Sequence, residues 1–290
     1  MKLAAAVAEQ VASNASAIGH EATFADHRAR LTREIADRAP ATGRGRLCLL
    51  GAGNANDVDL DALADRFAEI HLVDIDPSAV ARAIARVQPA RRGQIVAQAP
   101  IDASGFFDRL ERWVSDPPPL ETFGAVFGDA IARVVTALPG PFDVVVSCSL
   151  LTQLQLVLLQ VLGDTHARFA ELREALNRAH VRTLGALIAP GGVALLVTDL
   201  TDSTIYPPID HVEPGADLGK LMGDVLAGGH FIYAAHPGML SSDMRRDPQL
   251  KTLFTVRFPI GPWLWQNGPA NRFLVYALEI RRLAGASAGV

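Results

Sequence analysis

Between Arg46 and Leu200, short apolar runs alternate with amphipathic segments, and this alternation restricts the fold more than any other feature of the chain. The runs are "LCLLGAG", "EIHLVDID", "GQIVAQAPID", "PFDVVVSCS" and "PGGVALLVTDL". Each is short, rich in Val, Ile or Leu, and carries glycine or a polar residue near one end, as a buried strand does. Between them lie helical segments such as "PSAVARAIARV", with proline in its first turn, and "LTQLQLVLLQVL". Strands separated by helices form a parallel sheet covered on both faces. The last two runs, "KTLFTVRFPI" and "NRFLVYALEIRRL", have only "GPWLWQNGPA" between them, so an antiparallel edge hairpin is expected there. The expected fold class is α/β, a three-layer sandwich around a mostly parallel seven-stranded sheet.

Residues 3–38 read as helical with a break near Ile18-Gly19, and "APATGRGR" then interrupts the pattern. This divides the chain into an N-terminal helical segment or lid, 1–45, and one elaborated domain, 46–290. With 290 residues, 49% of them hydrophobic, the chain has enough apolar material for such a core. The opening "MKLAAAVAEQV" loosely imitates a signal peptide. Glu9 and Gln10 interrupt it early, so an alanine-rich helix in a cytoplasmic protein is expected instead. No apolar run reaches membrane-spanning length, and no membrane partner is expected. A net charge of −4 gives no broad basic field for nucleic acid. The two cysteines, Cys48 and Cys148, lie in apolar runs and form no zinc-type cluster, so no metal is expected.

Ligands of open α/β sheets bind at the carboxyl ends of strands. The first such end, "GAGNAN", offers Gly51 and Gly53 for a tight turn and close backbone approach. A dinucleotide fingerprint requires a third glycine where this chain has Asn56, and Asp57, Asp59 and Asp61 follow. A pyrophosphate would meet those charges unfavourably, and a cationic, phosphate-free ligand suits the loop better. At the second end Asp74 lies 21 positions after Gly53, a suitable distance for a carboxylate that accepts both ribose hydroxyls. Asp76 competes for that role but also suits a helix N-cap. At the third end Asp102 either accepts from an adenine amino group or caps the helix that follows, with the Ala103 and Ser104 amides beside it. At the fourth end Ser147, Cys148 and Ser149 either line a pocket floor or form a strand-to-helix turn.

The order and spacing of "LCLLGAGNAN", "HLVDIDPSAVARA", "APIDASG", "FDVVVSCSLLTQL" and "LIAPGGVALLVTDL" resemble the class I S-adenosylmethionine-dependent methyltransferases. The resemblance implies a Rossmann-like sheet and S-adenosylmethionine as cofactor, with S-adenosylhomocysteine as product. It implies that Gly51, Ala52 and Gly53 lie against the methionine part, and that Asp74 and Ile75 hold the ribose. Asp102 and Ala103 would hold the adenine, and Ser147 and Cys148 would border the transfer site. Two positions depart from the family pattern. Leu49 stands where an acid is usual, and Ala55 where a third loop glycine is usual; alanine fits there if its backbone angles are ordinary.

The strand-four segment also lacks the Asn/Asp-Pro-Pro-aromatic pattern of amino-group methyltransferases that act on nucleic acids or proteins. Together with the charge, that points to a small-molecule acceptor. If the acceptor is a hydroxyl, a base must remove its proton. Candidates follow strand five: His211, His236 and Asp199 foremost, then Asp202, Tyr206 and His230, each with an alternative structural role. Trp263 and Trp265 either wall an acceptor or pack the edge hairpin, and the N-terminal helices could bring His20, Phe24 or His27 over the pocket. Two other readings fit the sheet: a nicotinamide-dependent oxidoreductase, and a non-catalytic binding protein that kept the fold.

Overall fold

The computed structural model describes residues 2–42, 44–268 and 271–283. The expected domain end at Val290, and Pro269 and Ala270 of the last connector, lie outside them. The strands are β1 (Gly45–Leu50), β2 (Phe67–Val73), β3 (Ile95–Gln98), β4 (Phe142–Cys148), β5 (Ile188–Asp202), β6 (Phe254–Asn267) and β7 (Asn271–Arg282). Helices α1 (Lys2–Ser16) and α2 (Ala25–Ala36) precede the sheet. Helices α3 (Leu60–Ala64), α4 (Pro77–Arg86), α5 (Phe107–Trp113), α6 (Phe123–Ala137), α7 (Leu150–Leu162) and α8 (Phe169–Leu187) connect the first five strands. Helices α9 (Leu218–Ala227), α10 (Pro237–Arg246) and α11 (Pro248–Leu253) follow β5.

The strands form one seven-stranded sheet in the order β3-β2-β1-β4-β5-β7-β6. The first five run parallel, and β7 enters antiparallel between β5 and β6. This is the mostly parallel Rossmann-like sandwich with a C-terminal antiparallel hairpin that the sequence leads one to expect. The central strands are apolar on both faces because both are covered. Cys48 and Leu50 pack into one helix layer, and Leu47 and Leu49 into the other. Strand order reverses between β1 and β4, so the crevice for a ligand opens where their carboxyl ends diverge.

The connector "GPWLWQNGPA" departs from expectation. Residues 261–267 continue β6, with Trp263 opposite Val275 and Trp265 opposite Phe273. The alternation Trp-Leu-Trp is a strand signal masked by flanking Gly-Pro and Asn-Gly pairs. Pro259 and Pro262 are tolerated because β6 is an edge strand whose pairing shifts at these points. The region after β5 folds into three helices, α9 to α11. Asp247 supplies the N-cap of α11, accepting from the Gln249 and Leu250 amides.

The N-terminal helices pack directly on this sheet. Arg38, just past α2, reaches the buried Glu279 of β7 through Nε at 2.8 Å and Nη2 at 2.7 Å. Burial opposes the Glu279 charge, but the bonds from Arg281 and Arg38 outweigh it and hold the carboxyl below its ordinary range. Phe24 meets Trp265 edge-on at 5.5 Å between ring centroids. Helix α1 contacts α5 and α7 and lies against the β1 loop, where the Asn54 side chain donates to the Asn14 carbonyl at 2.6 Å.

Candidate functional site

A cleft of about 990 Å³, part of it open to solvent, lies across the carboxyl ends of β3, β2, β1 and β4. Gly51, Ala52, Gly53, Asp74, Ile75, Asp102, Ala103 and Cys148 all line it. The fold therefore brings eight of the nine expected cofactor residues together.

Ser147 is elsewhere. Its side chain is wholly buried on the opposite face of β4, with its Oγ 2.8 Å from His180 Nε2 of α8. Alternation puts Ser147 and Cys148 on opposite faces of β4, with Cys148 toward the cleft; Ser149 reaches the cleft because it has left the strand and turned into α7. Ser149 opens α7 with φ +45°, a strained value for a non-glycine residue and one that recurs at functional sites.

The loop after β1 turns its amides inward. The Gly51 and Ala52 N–H groups donate to the Val73 carbonyl at 2.9 and 3.1 Å, and the Ala55 N–H donates to the Ala52 carbonyl at 2.7 Å. The Gly53 N–H donates to Asp74 Oδ2 at 2.7 Å. Gly53 takes φ +48° without strain, and a Cβ there would stand 2.9 Å from Asn14 Oδ1, so a larger residue would displace the Asn14 side chain. Ala55 is the surprise. Its φ is +52°, so its angles are not ordinary, and the loop keeps a left-handed geometry without the usual glycine. Ala55→Val is expected to lower unfolding free energy by about 2 kcal/mol, whereas Ala55→Gly is expected to be near neutral. Urea denaturation of both variants checks this, and equal stability of the valine variant would contradict it.

Asp74 Oδ1 accepts from the Asp76 N–H at 2.9 Å, so each of its oxygens holds one backbone bond and keeps a lone pair. Burial pushes its carboxyl above the ordinary value, against the pull of the Asp76 and Gly53 amides. Asp76 caps α4 through the Ser78 and Ala79 amides. Asp102 Oδ1 accepts from the Ser104 amide and hydroxyl at 2.8 and 2.6 Å, and Oδ2 accepts from the Phe107 amide at 2.8 Å. It both caps the turn into α5 and faces the cleft. Burial raises its carboxyl as well. The Cys148 thiol is pushed well up, first by burial and then by Asp57, Cys48 and Asp74, which makes it a poor nucleophile.

Three carboxylates (Asp57, Asp74 and Asp102) line the cleft, and no Lys or Arg does among the described residues. Three arginines bond this loop without lining the cleft, among them Arg28, whose Nη1 donates to the Asn56 carbonyl at 3.1 Å. Arg82 Nε donates to Asn54 Oδ1 at 2.9 Å, and Arg86 donates to Asn56 Oδ1 at 2.7 Å and to the Asn54 carbonyl.

A second cleft, about 1550 Å³ and also open at its rim, adjoins the first. Gln10 and Ser13 of α1, Ser149 and Gln153 at the start of α7, and Trp265 and Asn267 of β6 line both. Asp199, at the end of β5, lies in this second cleft. It accepts from the Ser149 hydroxyl at 2.7 Å and the Thr152 hydroxyl at 3.1 Å, and burial pushes its carboxyl up to about 6. The two histidines proposed with it are not there. His211 is exposed on the 3-10 turn Pro207–His211. His236 uses Nδ1 to cap α10 through the Met239 amide, and its ring meets Phe231 edge-on. Neither lines either cleft.

The N-terminal helices lie at the pocket as expected, with Phe24 lining the first cleft, but the sequence did not single out the residues of α1 and its end that wall it. Gln10, Ser13, Asn14 and Ala17 recur at helical spacing and face the first cleft. The signal was a polar stripe on an otherwise alanine-rich helix. Among the described residues no helix is long and apolar enough to cross a membrane, and no group of three or more His, Cys, Asp or Glu side chains is placed to hold a metal ion.

No family model matches the sequence, and no curated protein matches it. Solved structures similar to this chain include N-methyltransferase NodS from Bradyrhizobium japonicum WM9, at 14% identity over 89% of this chain and 97% of that one, TM-score 0.45. The glycopeptide N-methyltransferase MtfA, complexed with S-adenosylmethionine, is 16% identical over 87% of this chain and 85% of that one, TM-score 0.43. An rRNA methylase from Streptococcus thermophilus is 9% identical over 88% and 95% respectively, TM-score 0.40.

Proposed function

We propose that this chain transfers a methyl group from S-adenosylmethionine to a small organic molecule. One observation carries the reading: the Gly51, Ala52, Gly53 and Ala55 amides of the loop after β1 bond within the protein, while three carboxylates and, among the described residues, no Lys or Arg line the cleft beside it. A pyrophosphate needs free amides or cations. A cofactor with a sulfonium, an ammonium and no phosphate suits a lining of this sign. The same observation argues against a nicotinamide dinucleotide.

The donor set fits the cofactor along its length. The free lone pairs on the Asp74 carboxylate suit a vicinal diol. Ile75, Ile101 and Phe107 offer an apolar slot for a purine, with Asp102 at its edge to accept from an amino group. When bound, the cofactor supplies an electrophilic methyl carbon. The chain supplies position and proton control. Trp265 and Ser149 stand where the two clefts meet, and Asp199 holds a carboxylate that titrates close to neutrality in the second cleft, where an acceptor would lie. Acids outnumber cations around the second cleft, which disfavours nucleic acid.

Thermal unfolding of the wild-type protein tests this. Saturating S-adenosylhomocysteine is expected to raise the melting temperature by about 5 °C or more, and NAD to leave it unchanged. A rise with NAD and none with S-adenosylhomocysteine would overturn the reading.

A further inference from the structure

One carboxylate of the first cleft has no role in the assignment above. Asp57 lines the cleft, yet its Oδ1 is buried and accepts no hydrogen bond. Among the described residues no Lys or Arg pairs with it. Its neighbour is His27 of α2, whose Nε2 lies 3.4 Å from Oδ1.

That histidine is fixed from both sides. The Trp263 indole N–H donates to His27 Nδ1 at 2.9 Å, and the imidazole stacks on Trp265 with ring centroids 4.7 Å apart. An indole nitrogen only donates, so Nδ1 is the acceptor and the ring proton sits on Nε2, facing Asp57. His27 is buried, so neither the ring nor its tautomer is free to change. The relay Trp263–His27–Asp57 thus presents a carboxylate to the cleft and supplies it with one long, neutral contact. A carboxylate so held is under-compensated and calls for a cationic partner.

The strand order says which end of a bound cofactor that partner belongs to. Asp74 follows β2 and Asp102 follows β3, which sets the nucleoside end of the cleft. Asp57 follows the β1 loop, and through His27 it is tied to Trp265, which borders the second cleft. We infer, on the cofactor reading above, that Asp57 receives the α-ammonium of the cofactor's amino-acid end and that His27 is its positioning residue. Leu49 is buried in the core and brings no charge to the cleft, so Asp57 provides the negative charge at this end.

Calorimetric titration with two ligands tests the assignment. S-adenosylhomocysteine carries the amino-acid end, and methylthioadenosine shares its nucleoside and thioether but lacks that end. Asp57→Asn is expected to weaken S-adenosylhomocysteine roughly 10- to 100-fold and to leave methylthioadenosine within about twofold. His27→Phe keeps a ring on Trp265 but removes the N–H. It is expected to weaken S-adenosylhomocysteine by a smaller factor and again to spare methylthioadenosine. Methylthioadenosine binding also reports that each variant is folded. Unchanged S-adenosylhomocysteine affinity, or an equal loss for both ligands, overturns the Asp57 assignment alone. Wild-type protein that binds neither ligand overturns the cofactor reading and this inference with it.

Discussion

Asp74→Ala is expected to abolish the stabilisation by S-adenosylhomocysteine, with affinity falling about 100-fold or more. The carboxylate does two things at once. It ties the glycine loop to the next strand end through the Gly53 and Asp76 amides, and it keeps one lone pair on each oxygen for the proposed ribose contact. Alanine leaves two backbone donors without partners and a ribose diol without acceptors. Asp74→Asn is a milder change. It keeps one acceptor and the side-chain shape but sets an NH2 against the Gly53 or Asp76 amide, so a loss of about tenfold in affinity is expected together with about 1–2 kcal/mol of stability. Asp76→Ala is the control. It removes the N-cap of α4 and is expected to cost about 1 kcal/mol of stability while ligand affinity changes far less. Titration calorimetry with all three variants is the measurement. If Asp74→Ala bound like wild type, the ribose assignment would be wrong.

The sheet was legible because its signals are local. Each apolar run ends at a strand end, and Pro77 and Asp76 mark the start of α4 by themselves. The glycine loop and Asp74 were legible as cleft residues because both stand at the carboxyl end of an apolar run, where the polypeptide leaves the sheet. Ser147 and Ser149 show where that kind of reading stops. In "SCS" either serine can face the crevice, and the choice depends on where β4 ends: Ser147 is still in the strand, while Ser149 has turned out of it into α7. The two histidine candidates were misread for a related reason, whereas Asp199 stands near a strand end and was legible. His211 and His236 lie on segments that follow β5, and their distance from the crevice depends on how α9 and α10 fold back, which no local pattern encodes. Asp57 was visible only as excess negative charge. Its place beside His27 and Trp263 joins residues 27, 57 and 263, a contact that exists only once α2 has docked on the edge strand.

Asp199→Asn is expected to move stability and activity in opposite directions. Burial lifts the Asp199 carboxyl from its ordinary value of 3.8 to about 6, because the bonds from Ser149 and Thr152 only partly offset the loss of water. Between those two values the folded state binds the proton more tightly than the unfolded chain does. Stability therefore falls as pH rises through the window, and above it the ionised carboxylate costs about 2–3 kcal/mol. Asparagine keeps an acceptor for the Ser149 hydroxyl and carries no charge. The variant should match wild type near pH 4 and exceed it by about 2 kcal/mol near pH 8. Denaturant unfolding of both proteins across that range reads the difference. A carboxylate kept for architecture would show the reverse, since its removal would destabilise the fold at neutral pH. If Asp199 takes a proton from the acceptor, the stabilised variant should lose about 100-fold or more in methyl transfer from labelled S-adenosylmethionine to a small-molecule extract. A variant both more stable and fully active would mean that the acceptor gives up no proton to Asp199. The charge in the second cleft would then serve only to attract the acceptor.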